Sequence, residues 1–433
     1  MAAQPFYIWT MMYGKKSACS YYRIETPMLS LQDAKLAEIY FEDFNERRNQ
    51  KEATLAMLYS DLAHFYSVGG QKFLHTVKTL RNVKPGIRDG RPIYPPALIY
   101  DTDDNTDYVH PFNTTFAHLG VRDYPAGKIL RPDDSLSFTD RHGKEHVAWE
   151  DKITNYQGIL FDIQNNLNEM KMRHELIRQC HGATCTSQPL ADYIKNVIGQ
   201  KNVYVYPNSI RLQDYEMIKA VRTDDRIRIL WQGSQSHYID WWPLHEAIRE
   251  IAQKYKDKVT FVVWGELFDW IYEIIPANMI ESIYWTPYEA YKLRRGLVNC
   301  DINLCPLVNN PFNACKSAIK WYEGCIWDQP EATLAAKSPA YSEIKDGETG
   351  LLYSTPQEFV QKLSALIENA ELRKTLGANA KEWVLNNRLA EHTVSGLFDF
   401  YTDTRNRQKR ECGDPVLQPA TLEDMKKLIT TLR

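Results

Sequence analysis

Short apolar runs alternate with amphipathic stretches along this chain, both before and after Pro207. A parallel sheet with helices on both faces buries such an alternation efficiently, which makes the chain α/β. In the first half the candidate strands are Phe6–Trp9, Thr54–Leu58, Ala97–Tyr100 and Ala183–Ser187. The candidate helices are Leu31–Asn45, Gln71–Leu80, Phe161–Gln179 and Leu190–Val197. The alternation lapses between Arg122 and Asp151, where Ser135–Phe138 and His146–Trp149 flank Arg141-His142-Gly143 and predict an inserted hairpin near 135–149. Val203–Tyr206 followed by Pro207-Asn208-Ser209 reads as the crossing into a second domain. Beyond it the strands Ile227–Trp231, Val259–Trp264, Ile283–Trp285, Ile302–Leu307 and Ala332–Ala336 are separated by helical patterns. Asp240 is the expected N-cap of the first, whose Leu244, Ala247, Ile248, Ile251, Ala252 and Tyr255 share one face. The second is Tyr288–Arg295 and the third Ala314–Trp327. Thr355-Pro356 with Glu358 forms a capping box that opens a further helix. Helices near Glu371–Leu385 and Ala390–Arg405 and an amphipathic tail at Thr421–Leu432 close the chain.

With 433 residues the chain is too long for one ordinary core and suits two α/β domains. The expected division is 1–206, 207–390 and a C-terminal set of helices at 391–433. The formal net charge of −3 gives no bulk support to a general nucleic-acid or anionic-membrane binder. The 8 cysteines show no spacing that reads as a zinc site, which predicts thiols in a reducing cytoplasm. Phe6 to Met12 reads as a buried strand, not a signal peptide, and no stretch approaches the roughly 18 apolar residues of a membrane span.

The segment Pro311-Phe312-Asn313-Ala314-Cys315-Lys316-Ser317-Ala318-Ile319-Lys320-Trp321-Tyr322-Glu323 follows a buried strand and opens a helix. Ligands of open α/β sheets sit at such strand ends. Asn313 is the expected N-cap, which puts Lys316 in the first turn, where a cation is unfavourable unless an anion is bound. At helical spacing Lys316, Lys320 and Glu323 share a face, offering cations for phosphates and a carboxylate for sugar hydroxyls. A solvated charged stripe is the alternative reading. Gly233-Ser234-Gln235-Ser236 is a second candidate phosphate cradle after a strand, followed by His237, which otherwise caps or packs against a helix. Asp101-Thr102-Asp103-Asp104-Asn105 beyond a strand end suits a hard metal, a base, or equally an Asx turn or cap. Ser20-Tyr21-Tyr22-Arg23 either faces the same place or lies at the surface. Trp241, Trp242, Trp264 and Trp285 lie near strand ends and serve either to stack on a base or sugar or to fill a core.

Taken in order, these segments resemble the family 4 glycosyltransferases of the GT-B fold, over nearly the whole chain. Tyr206-Pro207-Asn208-Ser209 is similar to the family's Pro-Asn-Gly entry to the second domain. Ile229-Leu230-Trp231-Gln232-Gly233-Ser234-Gln235-Ser236-His237 with Asp240 resembles the phosphate loop of a subgroup with a Gly-Ser-x-Ser-His pattern and a Lys-Ser-x-x-Lys donor helix. Phe312 to Glu323, with Pro330, resembles that donor helix, and Asp346-Gly347-Glu348-Thr349-Gly350-Leu351 matches a short family run. Cys19-Ser20-Tyr21-Tyr22-Arg23 and Asp101-Thr102-Asp103-Asp104-Asn105 resemble the subgroup's N-terminal domain. Two departures stand out. Cys315 replaces the first glutamate of the family's E-x7-E pair, and the arginine and lysine after the phosphate loop are absent, with His237 in roughly that region.

The resemblance implies two Rossmann-like domains facing across a cleft, final helices that cross back to the first domain, retention of anomeric configuration, and no metal. It implies a UDP- or GDP-sugar as co-substrate and no other cofactor. The donor set is then Gly233, Ser234, Ser236, Asn313, Lys316, Ser317, Lys320, Glu323 and Trp285, with Glu323 on the ribose. Lys316 is the expected leaving-group cation, with His237 beside it. Asp103 or Asp104 orients the acceptor, and Arg23, Asp101 and Asn105 lie on the acceptor side. The acceptor is a glycan, a small molecule or modified DNA. Two other readings are a DNA-modifying glycosyltransferase acting on a hydroxymethylated base and a non-catalytic nucleotide-sugar or glycan binding module.

Overall fold

The structure is a computed structural model that describes residues 5–12, 17–43, 50–88, 91–109, 113, 115–121, 128–130, 136–139, 145–149, 161–215, 224–268, 270–298 and 300–413. The chain forms two compact units. The first comprises Met1–Asp104, Asn168–Arg211 and Leu389–Arg433, and the second Asn105–Leu167 and Leu212–Arg388. Among the described residues no helix is long and apolar enough to cross a membrane.

In the first unit the strands are β1 (Phe6–Met12), β2 (Ala37–Asp43), β3 (Leu62–Tyr66), the small antiparallel pair β4 (Gly86–Arg88) and β5 (Arg91–Ile93), and β6 (Ala97–Thr102). Three short strands follow that count with the second unit: β7 (Lys128–Leu130), β8 (Leu136–Thr139) and β9 (Glu145–Trp149). The chain then returns with β10 (Gly182–Cys185) and β11 (Val203–Val205). The main sheet is wholly parallel, in the order β11-β10-β6-β3-β1-β2. The last described helix, Ala390–Cys412, belongs to this unit and sets Val394, Leu397 and Tyr401 among Ile8, Leu62 and Ile99.

Two expected elements are different in kind. Leu31–Asn45 is not one helix. A helix ends at Asp33, Lys35 turns the chain with φ 56°, and Ala37–Asp43 then pairs in parallel with all of β1. Thr54–Leu58 is not a strand but part of the helix Gln50–Tyr59, whose Ala53, Met57 and Leu58 are buried at helical spacing. The strand comes later, as β3. The expected hairpin exists as β8 and β9, paired antiparallel, with β7 as a third strand. Its segment counts with the second unit, not the first. Val109, Phe116 and Ala117 bury their apolar surface against Phe312, Tyr238 and Trp242, which explains the grouping. The turn at 141–143 and the tail helix at 421–432 lie outside the described residues.

The second unit contains β12 (Ile227–Gly233), β13 (Val259–Gly265), β14 (Ile280–Ile283), β15 (Ile302–Cys305), β16 (Ala332–Ala336) and β17 (Leu351–Tyr353). All are parallel, in the order β14-β13-β12-β15-β16-β17. Strand order reverses between β12 and β15, which makes their carboxyl ends the topological switch point where such sheets bind ligands. Four consecutive residues of β12, Ile229 to Gln232, are buried, as expected of a strand covered on both faces. The helix His245–Lys254 buries Ala247, Ile248, Ile251 and Ala252. At the expected capping box Glu358 N donates to Thr355 Oγ1 at 3.1 Å, while Glu358 Oε2 accepts from Ser354 N, one residue before the cap, at 2.7 Å.

Candidate functional site

At the switch point β12 ends in Gly233 and β15 leads through Pro306–Asn310 into the donor segment. Gly265, at the end of β13, supports the first loop. It adopts φ +106°, and a Cβ there would lie 2.3 Å from the Gly233 carbonyl oxygen. Only glycine therefore lets Glu266 N donate to that oxygen at 2.8 Å.

The donor segment departs from the single helix expected over Ala314–Trp327. Asn310, not Asn313, is the cap: its Oδ1 accepts from Asn313 N at 2.8 Å, and Pro311 occupies the first helical position. The helix Pro311–Ala314 lasts one turn, and a second begins only at Ile319 and runs to Cys325. Between them the chain leaves helical geometry, because Asn313 turns its amide inward, donating to Asp240 Oδ1 at 2.7 Å and to the Val308 carbonyl at 2.9 Å. Lys316 therefore does not sit in the first turn of a helix, and it shares no continuous helical face with Lys320 and Glu323. Its ammonium lies 4.5 Å above the Phe312 ring. Ser317 occupies the same non-helical turn.

Asp240 is not the cap of the long helix. It is buried, and it ties the two loops of the switch point together. Its Oδ1 also accepts from Val308 N at 2.8 Å, and its Oδ2 lies 2.8 Å from His237 Nδ1. On the far side of the imidazole, Lys320 Nζ lies 3.3 Å from His237 Nε2 and donates to the Gln232 carbonyl at 3.0 Å. The hydrogen-bonding pattern fixes the tautomer: Nδ1–H donates to Asp240, and Nε2 accepts from the ammonium. Burial, then Lys320, push the His237 pKa down to about 4 against the opposing pull of Asp240. Burial likewise lowers the Lys320 pKa, while Asp240 and Glu323 act in the opposite direction. Ser234 and Ser236 meet through their hydroxyls at 2.7 Å on the same loop.

Glu323 follows Lys320 by three residues and is only 5% exposed. Tyr288 Oη donates to its Oε1 at 2.8 Å and Tyr291 Oη lies 3.0 Å from its Oε2. Tyr291 Oη is also 3.0 Å from Gln232 Oε1, yet a hydroxyl carries one proton. Gln232 Nε2 is buried without a partner. Turning that amide over lets Nε2 donate to Tyr291, which then donates to Glu323, and the conflict over the single proton disappears. Burial raises the Tyr291 pKa well above its ordinary value, as does the Glu323 carboxylate. Gly324 lets this helix lie close on the sheet, since a Cβ there would come within 2.5 Å of Asn303 Nδ2. Beneath it Arg295 and Glu331 form an ion pair at 2.5 Å, with side chains 0% and 1% exposed.

The structure thus brings Gly233, Ser234, Ser236, His237, Asn313, Lys320 and Glu323 to the switch point of one sheet. Trp285 is not among them; it lies beyond the end of β14 and is 70% exposed. Asn105 counts with this unit, and its Nδ2 lies 3.8 Å from the sulfur of the buried Cys315. Sequence reasoning missed Tyr288 and Tyr291, and it read Asp240 as a helix cap and as part of the phosphate-loop pattern, not as the tie between the two loops. The available signal for the tyrosines was their spacing, three apart on one helix, which puts both on one face.

In the first unit Arg23 and Asp101 form a bidentate pair, Nε to Oδ1 at 2.9 Å and Nη2 to Oδ2 at 2.6 Å, with side chains 1% and 3% exposed. Arg23 Nη1 also donates to the Tyr206 carbonyl and to Asn208 Oδ1, which anchors the Tyr206-Pro207-Asn208 run. Thr184 Oγ1 donates to Asp101 as well. Every strong contact of this pair is internal. Asp103 is half-buried and accepts from Tyr66 Oη at 2.9 Å. Burial, then Asp104, raise its pKa to about 6 against the opposing pull of Arg23. Among the described residues no group of three His, Cys, Asp or Glu is arranged to hold a metal ion.

No family model matches the chain. A stretch of 55 residues is 47% identical to the Glycosyltransferase 1 domain-containing protein 1 of Xenopus tropicalis, spanning 12% of this chain and 16% of that protein. Solved structures resemble it over 92% of its length. HepE of Anabaena bound to UDP-glucose matches with a TM-score of 0.54 at 12% identity, over 99% of that chain. HepE bound to UDP and glucose matches with a TM-score of 0.53 at 12% identity, over 100% of that chain. A glycosyltransferase of Rickettsia africae ESF-5 matches with a TM-score of 0.51 at 12% identity, over 98% of that chain. Together with the two six-stranded parallel sheets, this likeness makes the fold GT-B: two Rossmann-like units in one α/β chain.

Proposed function

We propose that the chain is a cytoplasmic glycosyltransferase that moves a sugar from a UDP- or GDP-sugar to a hydroxyl acceptor, with retention of configuration and without a metal ion. The observation that carries this reading is the set of groups at the switch point of the second sheet: an ammonium, an imidazole, two hydroxyls and a buried carboxylate. Breaking the bond between the anomeric carbon and the diphosphate oxygen builds negative charge on the leaving group. Lys320, the loop at Gly233–His237 and Lys316 supply donors and charge for it. Glu323, clamped by Tyr288 and Tyr291, keeps lone pairs for ribose hydroxyls. The acceptor's hydroxyl oxygen forms the new bond to the anomeric carbon on the face that the diphosphate leaves, which retains configuration, and its proton leaves to a base. Asp103, whose pKa burial raises to about 6, suits that task better than Asp101, which is committed to Arg23. That HepE binds UDP-glucose and UDP favours a uridine donor.

The first test is a thermal-shift panel of nucleotides, followed by turnover of the matching nucleotide-sugar. A ligand that binds the folded state alone at a hundredfold excess over Kd adds about 2.7 kcal/mol of stability. Turnover separates the enzyme from a binding module. Glu323→Gln is expected to weaken nucleotide binding about 10- to 100-fold with folding intact, since a hydrogen bond to a charged group contributes about 1.5–3 kcal/mol. Tyr291→Phe is expected to weaken it less, because Tyr288 still holds one oxygen. Unchanged affinity in Glu323→Gln removes that residue from the site. Turnover is expected to survive EDTA, since side-chain cations take the place of a metal. Loss in EDTA with recovery in Mg²⁺ or Mn²⁺ would instead return Asp103 and Asp104 to the position of ligands.

A further inference from the structure

We propose that Lys320 and His237 act as one proton-accepting unit, and that capture of a nucleotide-sugar's diphosphate draws a proton from solvent onto His237. The proposal rests on the donor reading above and adds to Lys320 and Lys316 a further cation that exists only in the bound state.

The geometry requires the two nitrogens to share one proton. Lys320 Nζ faces His237 Nε2 at 3.3 Å, so protonating Nε2 would set an imidazolium against an ammonium. The ring cannot turn away, because Asp240 holds Nδ1 at 2.8 Å. Asp240 cannot follow either, since its other oxygen is held by Val308 N and Asn313 Nδ2. The charged groups acting on the imidazole are Lys320 and Lys316, from the donor segment, and Asp240, from the segment after β12. Without a ligand, burial and the two cations outweigh the single carboxylate.

A diphosphate reverses that balance. Seated between the Gly233–His237 loop and Lys320, its two negative charges attract the ammonium and favour a charged imidazole. His237 Nε2 then takes a proton from the buffer and donates it in a hydrogen bond to a phosphate oxygen. No bond of the donor is made or broken in this step. The ring's pKa is higher in the bound state than in the free one, so affinity rises as pH falls through the bound-state value. It levels off below the free-state value of about 4. The bridging diphosphate of a nucleotide-sugar has no group that titrates near neutrality, so proton uptake belongs to the protein.

The test is calorimetric titration of the full chain with UDP-glucose and with GDP-mannose, in buffers of different ionisation enthalpy, between about pH 5.5 and 7.5. The observed enthalpy should depend on the buffer, with uptake that grows toward one proton per site at the acid end. Affinity should rise up to about tenfold per pH unit where uptake is complete. Glutamine at position 237 can bond to both Asp240 and Lys320 but takes no proton. His237→Gln should therefore bind with a buffer-independent enthalpy and a flat pH profile. A buffer-independent enthalpy in the wild-type protein, or the same buffer dependence in His237→Gln, overturns the proposal. Failure of both nucleotide-sugars to bind at any pH overturns the donor reading itself, and this proposal with it.

Discussion

Lys320→Met is expected to lower kcat of sugar transfer by about 10²–10³-fold, by analogy with the loss of one pre-set donor to a developing anion. Charge gathers on the leaving diphosphate mainly in the transition state, so kcat should fall more than KM rises. The structure favours Lys320 over Lys316 for this role. The Lys320 ammonium is fixed by the Gln232 carbonyl and by His237 at the end of β12, whereas that of Lys316 lies over the Phe312 ring. A cation already directed at the end of β12 needs no reorganisation to serve a transition state there. Lys316→Ala should cost less than Lys320→Met. Folding should survive, because burial already disfavours the charge that methionine removes. Steady-state kinetics with the donor found by the nucleotide panel decide the matter. A near-wild-type kcat in Lys320→Met, with a large loss in Lys316→Ala, would reverse the assignment.

The second half of the chain was the more legible because its periodicity speaks with one voice. The apolar stretches Ile229–Trp231 of β12 and Phe261–Trp264 of β13 mark both strands, and the turn at Gly233–Ser236 is likewise read from local sequence. In the first half, Ala37–Asp43 carries residues that suit either a helix or a strand. Its pairing with β1 decides, and that contact is not local. Thr54–Leu58 shows the converse, a short apolar run whose burial is at helical spacing once Ala53 is counted.

The site divides in the same way. Gly233, His237 and Lys320 were grouped by the family resemblance, and the strand ends that carry them were legible because the switch-point rule is topological. The break at Cys315–Ala318 was not legible. It depends on Asn313 reaching Asp240, 73 positions earlier, and no local rule carries that contact. The same contact turned an expected helix cap into the central carboxylate of the site. The resemblance put Arg23 and Asp101 on the acceptor side, but position along a strand does not reveal whether a side chain is already satisfied.

That last point sets the expectation for Asp101→Ala. Removing one member of a buried ion pair leaves the other charged, desolvated and without its counter-ion, at about 3–5 kcal/mol. Arg23 cannot escape by losing its proton, since a guanidinium stays charged at any ordinary pH. It would keep the Tyr206 carbonyl and Asn208, and Thr184 would lose its acceptor. The loss should appear in the first unit. Amides of β6 and β10, which flank Asp101 and Thr184, should exchange faster with solvent, while those of β12 to β17 keep their protection. Replacing both partners, as in Arg23→Met with Asp101→Leu, should cost less than Asp101→Ala alone, because no orphan charge remains. Nucleotide binding per folded molecule should be unchanged throughout. An Asp101→Ala protein of wild-type stability that fails only with the acceptor would show instead that this carboxylate serves the reaction and not the fold.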